Sequence, residues 1–450
     1  MTEAERTPAP EFPQAPLDAI ATPFQRFIHT EAAGGAVLLV VAVIAMALAN
    51  SPLGSAFESL WTTSVGLRIG GLVWDYPLRH WINDGLMTLF FFVVGLEIKR
   101  ELVFGELSAP GAAALPLAAA LGGMLVPAGI YLALASGPGA SAGWGAVMAT
   151  DIAFVVGCLA LLGRRVPKSL RVFVLALAII DDIGAMLVIA LGYSHGFHPL
   201  PFAGALAGLG IVVLMQRLGV RQVAAYWAVG LLVWAAMHES GVHPTIAGVA
   251  LGLLTPVRPW VEPSRLEWFL EWGRRAAPAE VGDGGEHAGH GARRRLERAA
   301  RESISPEQRL GETLHPWSAF LVLPLFAFAN AGVTVSDFGA AGTIILATVA
   351  GLAIGKPLGI FAFARLAVML RLARKPEDLG WTMLLAAGSL CGIGFTMALF
   401  IAGLAFEAEA LHAAKLGVLV ASLLSGALGM AALWAASRGR GGRLRTGTPS

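Results

Sequence analysis

Residues 168–193 read KSLRVFVLALAIIDDIGAMLVIALGY. An α-helix needs about 20 mostly apolar residues to cross the hydrocarbon core of a bilayer, and this run is long enough. At its middle stand two adjacent carboxylates, Asp181 and Asp182. An ionised side chain at the bilayer centre costs about 2.5–3.5 kcal/mol on an insertion scale. Such residues are few, paired and functional in membrane helices, so the stretch predicts both a membrane fold and a site within it.

Working outward, the same apolar pattern recurs along the chain. Twelve stretches are expected as spans: 33–50, 80–104, 113–135, 143–163, 168–193, 199–217, 222–238, 242–256, 314–333, 340–368, 380–404 and 412–436. The composition agrees, with 14% of residues charged against about a quarter in soluble proteins. The sequence therefore predicts an all-α polytopic membrane protein of about 12 helices. One exception is TTSVGLRIGGLVWDY at 62–76, whose β-branched residues flank a glycine turn and predict a small β-hairpin after the first span. Cys158 and Cys391 lie in apolar stretches and are expected as small buried residues without a disulfide.

Charge tests the count of spans. If the spans alternate in direction, 28 of the 32 basic residues fall in the two tails and every second loop. Basic loops mark the cytoplasmic side, so both termini are expected there. The positive charge is explained by topology, and nucleic-acid binding is excluded. The expected organisation is a cytoplasmic tail over 1–26, a single transmembrane domain over 27–437 and a basic cytoplasmic tail over 438–450. Acidic and proline-rich, the first 26 residues do not read as a cleaved signal peptide. A long cytoplasmic loop over 257–311 holds ten arginines, a glycine-rich centre and a short helical stretch at 292–303. His287 and His290 in this loop read as solvated, and His238 and His243 as interfacial.

Three more features bear on the site. Asp151 lies in GWGAVMATDIAFVVGC, near the middle of the fourth stretch, next to Thr150. Lys356 lies in TVAGLAIGKPLGIFAF, in the middle of the tenth. The eleventh contains AAGSLCGIGFTMALF, whose Gly388, Gly392 and Gly394 predict an interrupted helix. The fourth and fifth stretches are antiparallel neighbours with acids at similar depth, so three carboxylates can share one site. Two carboxylates a few ångströms apart resist double ionisation. A hard cation seeking oxygen ligands can replace their protons, and competition of that kind is the physical basis of exchange. Lys356 supplies a cationic partner when the exchanged ion is absent. The fold class alone also admits a sodium-coupled symporter, a passive channel or an intramembrane aspartyl protease. The protease fits poorly, because the acids sit in ATDIA and IDDIG beside a midplane lysine. Nor is GLAIGKP at 351–357 a phosphate loop, since Pro357 replaces the required Ser or Thr.

The stretches WINDGLMTLFFFVVGLEIKREL, ATDIAF, LALAIIDDIGA, GVHPTIAGV, HPWSAFLVLPLFAFANAGV, GKPLGI and CGIGFTMALFIAGLAF, in this order, resemble the NhaA family of bacterial sodium/proton antiporters from about residue 25 to about 435. The resemblance implies an electrogenic, pH-regulated secondary transporter, not an enzyme. It would sit in the inner membrane, expelling Na+ or Li+ and admitting H+ without a resident cofactor. It implies two inverted repeats, here the third to fifth and tenth to twelfth spans, crossing where interrupted helices break. Asp181 and Asp182 match the family's sodium-binding pair, Asp151 and Thr150 the break in the fourth span, and Gly392 and Gly394 the break in the eleventh. Lys356 matches the lysine that pairs with Asp181. Glu97 and Glu101 match acidic residues associated with pH activation. The resemblance also allows a homodimer contacted through the hairpin.

Overall fold

A computed structural model describes residues 31–69, 72–194, 196–279, 286–334 and 341–443. The N-terminal tail and the last residues of the C-terminal tail lie outside the described residues. A helix occupies each of the twelve apolar stretches, wholly or in part. Six helices are long and apolar enough to cross a membrane: α3 (Leu78–Phe104), α4 (Pro110–Leu134), α6 (Lys168–Gly192), α7 (Pro199–Arg217), α13 (Gly342–Met369) and α16 (Ala408–Arg443). Two bent pairs raise the number to as many as eight. In the first, α1 (Glu31–Ala49) turns by 112° into α2 (Gly54–Thr62). In the second, α14 (Trp381–Cys391) turns by 48° into α15 (Phe395–Ala405). Shorter apolar helices are α5 (Ile152–Leu162), α8 (Val223–Glu239) and α9 (Thr245–Leu254). The hairpin forms where expected: β1 (Ser64–Ile69) pairs antiparallel with β2 (Leu72–Pro77), in register from Ser64 opposite Pro77 to Ile69 opposite Leu72.

Two expectations need correction. The fourth stretch, expected as a span over 143–163 with a break at Thr150 and Asp151, has no α-helix before that break. It opens with a 3-10 turn at Ala140–Gly145, passes through turn and extended chain, and becomes α-helical only at Ile152. Close packing and outside partners replace the helix there: a Cβ on Gly143 would stand 2.4 Å from the Tyr131 hydroxyl, and the Asp151 N–H donates to a distant carbonyl instead of an intrahelical one. The 257–311 loop is also more helical than its glycines suggest, with α10 (Pro263–Ala279) and α11 (Glu286–Glu302). The next helix, α12 (306–330), starts inside the predicted loop because Ser305 caps it, its Oγ accepting from the Gln308 N–H at 3.1 Å.

The outside of the bundle is apolar: Leu161, Leu191 and Leu200 are 73%, 85% and 83% exposed. Water disfavours such a surface and lipid does not. Inside, small residues let backbones meet. Gly122 of α4 faces Gly359 of α13 so closely that a Cβ on either would lie 2.1 Å from the other's carbonyl oxygen. Along α13 a π-turn at Ala350–Gly355 precedes Lys356 and Pro357. Pro357 has no N–H for an intrahelical bond, and a π-turn is one way a helix absorbs that loss. It leaves Lys356 at the bundle centre, fully buried.

Candidate functional site

The site lies where the interrupted fourth stretch meets the break between α14 and α15. Asp151 is the N-cap of α5: its Oδ1 accepts from the Phe154 N–H at 3.3 Å. Its Oδ2 reaches across to the start of α15 and accepts from the Thr396 N–H at 2.9 Å and the Thr396 hydroxyl at 2.5 Å. One carboxylate thus caps two helices whose first N–H groups have no intrahelical partner, and its charge faces two positive helix ends. Backbone joins the two breaks as well, since the Asp151 N–H donates to the Ile393 carbonyl at 2.7 Å. Gly394 permits this approach: a Cβ there would lie 2.9 Å from Ala398 Cβ and 3.2 Å from the Ala149 carbonyl oxygen. Gly392 is equally confined, 2.5 Å by the same measure from both the Leu352 carbonyl oxygen and Ser425 Oγ.

Asp181 sits on α6 beside this crossing. Its Oδ2 lies 3.0 Å from Lys356 Nζ, with both side chains fully buried. The same oxygen lies 2.7 Å from Thr150 Oγ1, which is also 3.0 Å from the Cys391 carbonyl oxygen. The Thr150 hydroxyl has a single proton, so it serves one acceptor at a time. Lys356 Nζ donates also to the Met148 carbonyl. The lysine therefore ties α13 both to α6 and to the turn that precedes α5.

Asp182 is differently placed. It is buried, its Oδ1 has no hydrogen-bond partner among the described residues, and the same holds for Asp181 Oδ1. Asp181, Glu97 and Asp151 are its acidic charge neighbours. The three aspartates and the lysine predicted from the sequence thus come together, but unequally. Both oxygens of Asp151 are committed to helix ends, whereas Asp181 and Asp182 each keep one buried oxygen unbonded.

The two glutamates on α3 part company. Glu97 has Arg100 and Glu307 as charge neighbours. The Glu101 carboxylate accepts from the Glu106 N–H at 2.8 Å and closes the turn after α3. Glu307, at the start of α12, carried no mark in the sequence. Burial holds its carboxyl above the ordinary carboxylate range, while the Arg100 guanidinium pulls the other way. Thr396 was also missed as a site residue, although it stands inside the CGIGFTMALF motif; its short bond to Asp151 appears only in three dimensions.

Residues 25–433 match the family described as Na+/H+ antiporter 1. The chain belongs to this family. Among curated antiporters, one named Na(+)/H(+) antiporter NhaA from Rhizobium meliloti is 50% identical over 427 residues, covering 94% of this chain and 96% of that protein. Another of that name, from Rhodopirellula baltica, is 47% identical over 431 residues, with 94% and 96% covered. Na(+)/H(+) antiporter NhaA 2 from Sorangium cellulosum is 52% identical over 421 residues, with 92% and 89% covered. Among solved structures, the sodium proton antiporter MjNhaP1 from Methanocaldococcus jannaschii at pH 8 is similar with a TM-score of 0.51 and 11% identity. The match covers 92% of this chain and 97% of that one. That likeness concerns the fold alone, whereas the NhaA matches are 47–52% identical in sequence.

Proposed function

We propose that this chain is an electrogenic sodium/proton antiporter of the inner membrane, a secondary transporter and not an enzyme, in which Asp181 and Asp182 bind the exchanged ion. The carrying observation is the pair of adjacent buried carboxylates with an unbonded oxygen each. A buried polar atom without a partner is costly, and a sodium or lithium ion between the two acids would supply one. Without that ion, Lys356 pairs with Asp181, and Asp182 is neutral when protonated. One acid, Asp182, and one base, Lys356, thus stand within the site that takes the cation, which supports an exchange that moves net charge. Asp151 and Thr150 hold the site's frame, and Thr396 joins them. Gly392 and Gly394 give the crossing its room. Glu97, with Glu307 and Arg100, forms the polar cluster best placed for pH regulation, and Glu101 acts there by fixing the end of α3.

Around this site the proposed topology has twelve crossings in two inverted repeats, with both termini cytoplasmic. The alternation of basic loops supports that orientation. A homodimer contacted through the hairpin completes the proposal. The test is sodium-driven dissipation of a preset pH gradient in proteoliposomes, comparing wild type with Asp182→Asn. We expect the variant to fold and to lose exchange; normal exchange would remove Asp182 from the site. An organic co-substrate requirement in the same assay would favour a symporter.

A further inference from the structure

At the end of α3 remote from Glu97, three imidazoles surround one carboxylate. His80 and Asp84 are four residues apart on α3, and His238 belongs to the last turn of α8. His80 Nε2 lies 3.4 Å from Asp84 Oδ2, and His238 Nδ1 lies 3.8 Å from the same oxygen. His243 Nε2 approaches the other oxygen to 3.9 Å. None of these contacts is a hydrogen bond; N–H···O bonds run at about 2.7–3.2 Å. His80 Nε2 is buried and has no hydrogen-bond partner among the described residues. Ring nitrogens turned towards one carboxylate and held too far away to hydrogen-bond it are the arrangement a cation between them, taking the nitrogen lone pairs, would resolve.

We infer that His80, Asp84 and His238 form a binding site for a divalent transition metal of the zinc class. Their ligand atoms all lie within 4.8 Å of one another. Tetrahedral zinc with bonds of about 2.0–2.1 Å separates its ligands by about 3.3 Å. The His80–Asp84 pair already has nearly that spacing, and His238 must move in by about half an ångström on Asp84 Oδ2 and by up to about 1.5 Å on His80 to match it. Two imidazoles and a carboxylate suit zinc better than magnesium or calcium, which prefer all-oxygen ligands. The outer partners are in place too. The second nitrogen of His238, Nε2, lies 3.1 Å from the Tyr76 hydroxyl, the kind of contact that orients a metal-bound imidazole. Tyr76 also stacks on His80 with ring centroids 4.4 Å apart, and Trp234 stacks on His238 at 5.8 Å. Bound metal would clamp the foot of the hairpin and the start of α3 to the end of α8. Metal binding here is read directly and is independent of ion exchange.

The untagged full-length chain, stripped with chelator and held in detergent, is titrated with zinc chloride by calorimetry, with magnesium chloride as the control. One zinc per chain is expected, with no magnesium response. His80→Gln and His238→Gln should each weaken binding by about 100-fold or more, and Tyr76→Phe, which leaves the ligands intact, by about tenfold. A His287→Gln/His290→Gln variant should bind as wild type does. No zinc binding by the wild type would overturn the site. So would equal binding by the His80 and His238 variants, or loss of binding in the loop variant alone.

Discussion

Removing the Lys356 side chain tests the central pair most directly. In wild type its Nζ lies 3.0 Å from Asp181 Oδ2, with both side chains fully buried. At that distance and an effective dielectric of about 20, the attraction is about 5–6 kcal/mol. Breaking a buried pair from one side costs about 3–5 kcal/mol, because the remaining charge is left without a partner. Lys356→Ala should therefore lower stability by about 3–5 kcal/mol near neutral pH. The deficit should shrink as pH falls, since a protonated Asp181 carboxyl needs no cation. Adding Asp181→Asn to Lys356→Ala removes the orphaned charge and should restore much of the loss. The assay is thermal unfolding in detergent at matched scan rates, because membrane proteins often unfold irreversibly and their midpoints then depend on the rate. The four members of this double-mutant cycle should be compared at pH 5 and pH 8. Unchanged stability in Lys356→Ala, or no recovery in the double variant, would refute the pairing as a source of stability.

Thr396→Val removes the hydroxyl bond to Asp151 and leaves the backbone one. It should cost about 1.5–3 kcal/mol, the range for a hydrogen bond to a charged group. Thr396→Ser should stay near wild type in the same unfolding assay. Gly122→Ala places a Cβ 2.1 Å from the Gly359 carbonyl oxygen and should destabilise by about 1–3 kcal/mol or more through overpacking. Gly129→Ala on the same helix meets nothing within 4 Å and should gain up to about 1 kcal/mol of helix propensity. Glu307 gives a pH test whose sign follows from its raised pKa. The folded state favours the protonated carboxyl, so this group loses stability as pH rises from about 4.3, the usual Glu value, to its raised one. Glu307→Gln should thus be more stable than wild type above that interval and equal to it below, measured by unfolding midpoint against pH.

The sequence by itself determined where apolar helices form, that a hairpin follows the first of them, and which charges stand among apolar residues. These are local properties. Span length, strand-like patterning and the cost of a charge in hydrocarbon are all written within about 25 neighbouring residues. The glycines at 392 and 394 stand between α14 and α15, and Thr150 and Asp151 stand just before α5, whereas the extent of non-helical chain before Asp151 was not legible. Only the tertiary structure decided how the site's oxygens are used. Asp151 bonds Thr396 across 245 positions, and Lys356 bonds the Met148 carbonyl across 208. No local pattern encodes a partner at that distance. Three acids at one depth therefore look alike in the sequence, yet in the fold one of them caps two helices while the other two keep a free oxygen each. The grouping of Asp84 with histidines from two helices was hidden in the same way, because what brings those side chains together is the packing of α8 beside α3.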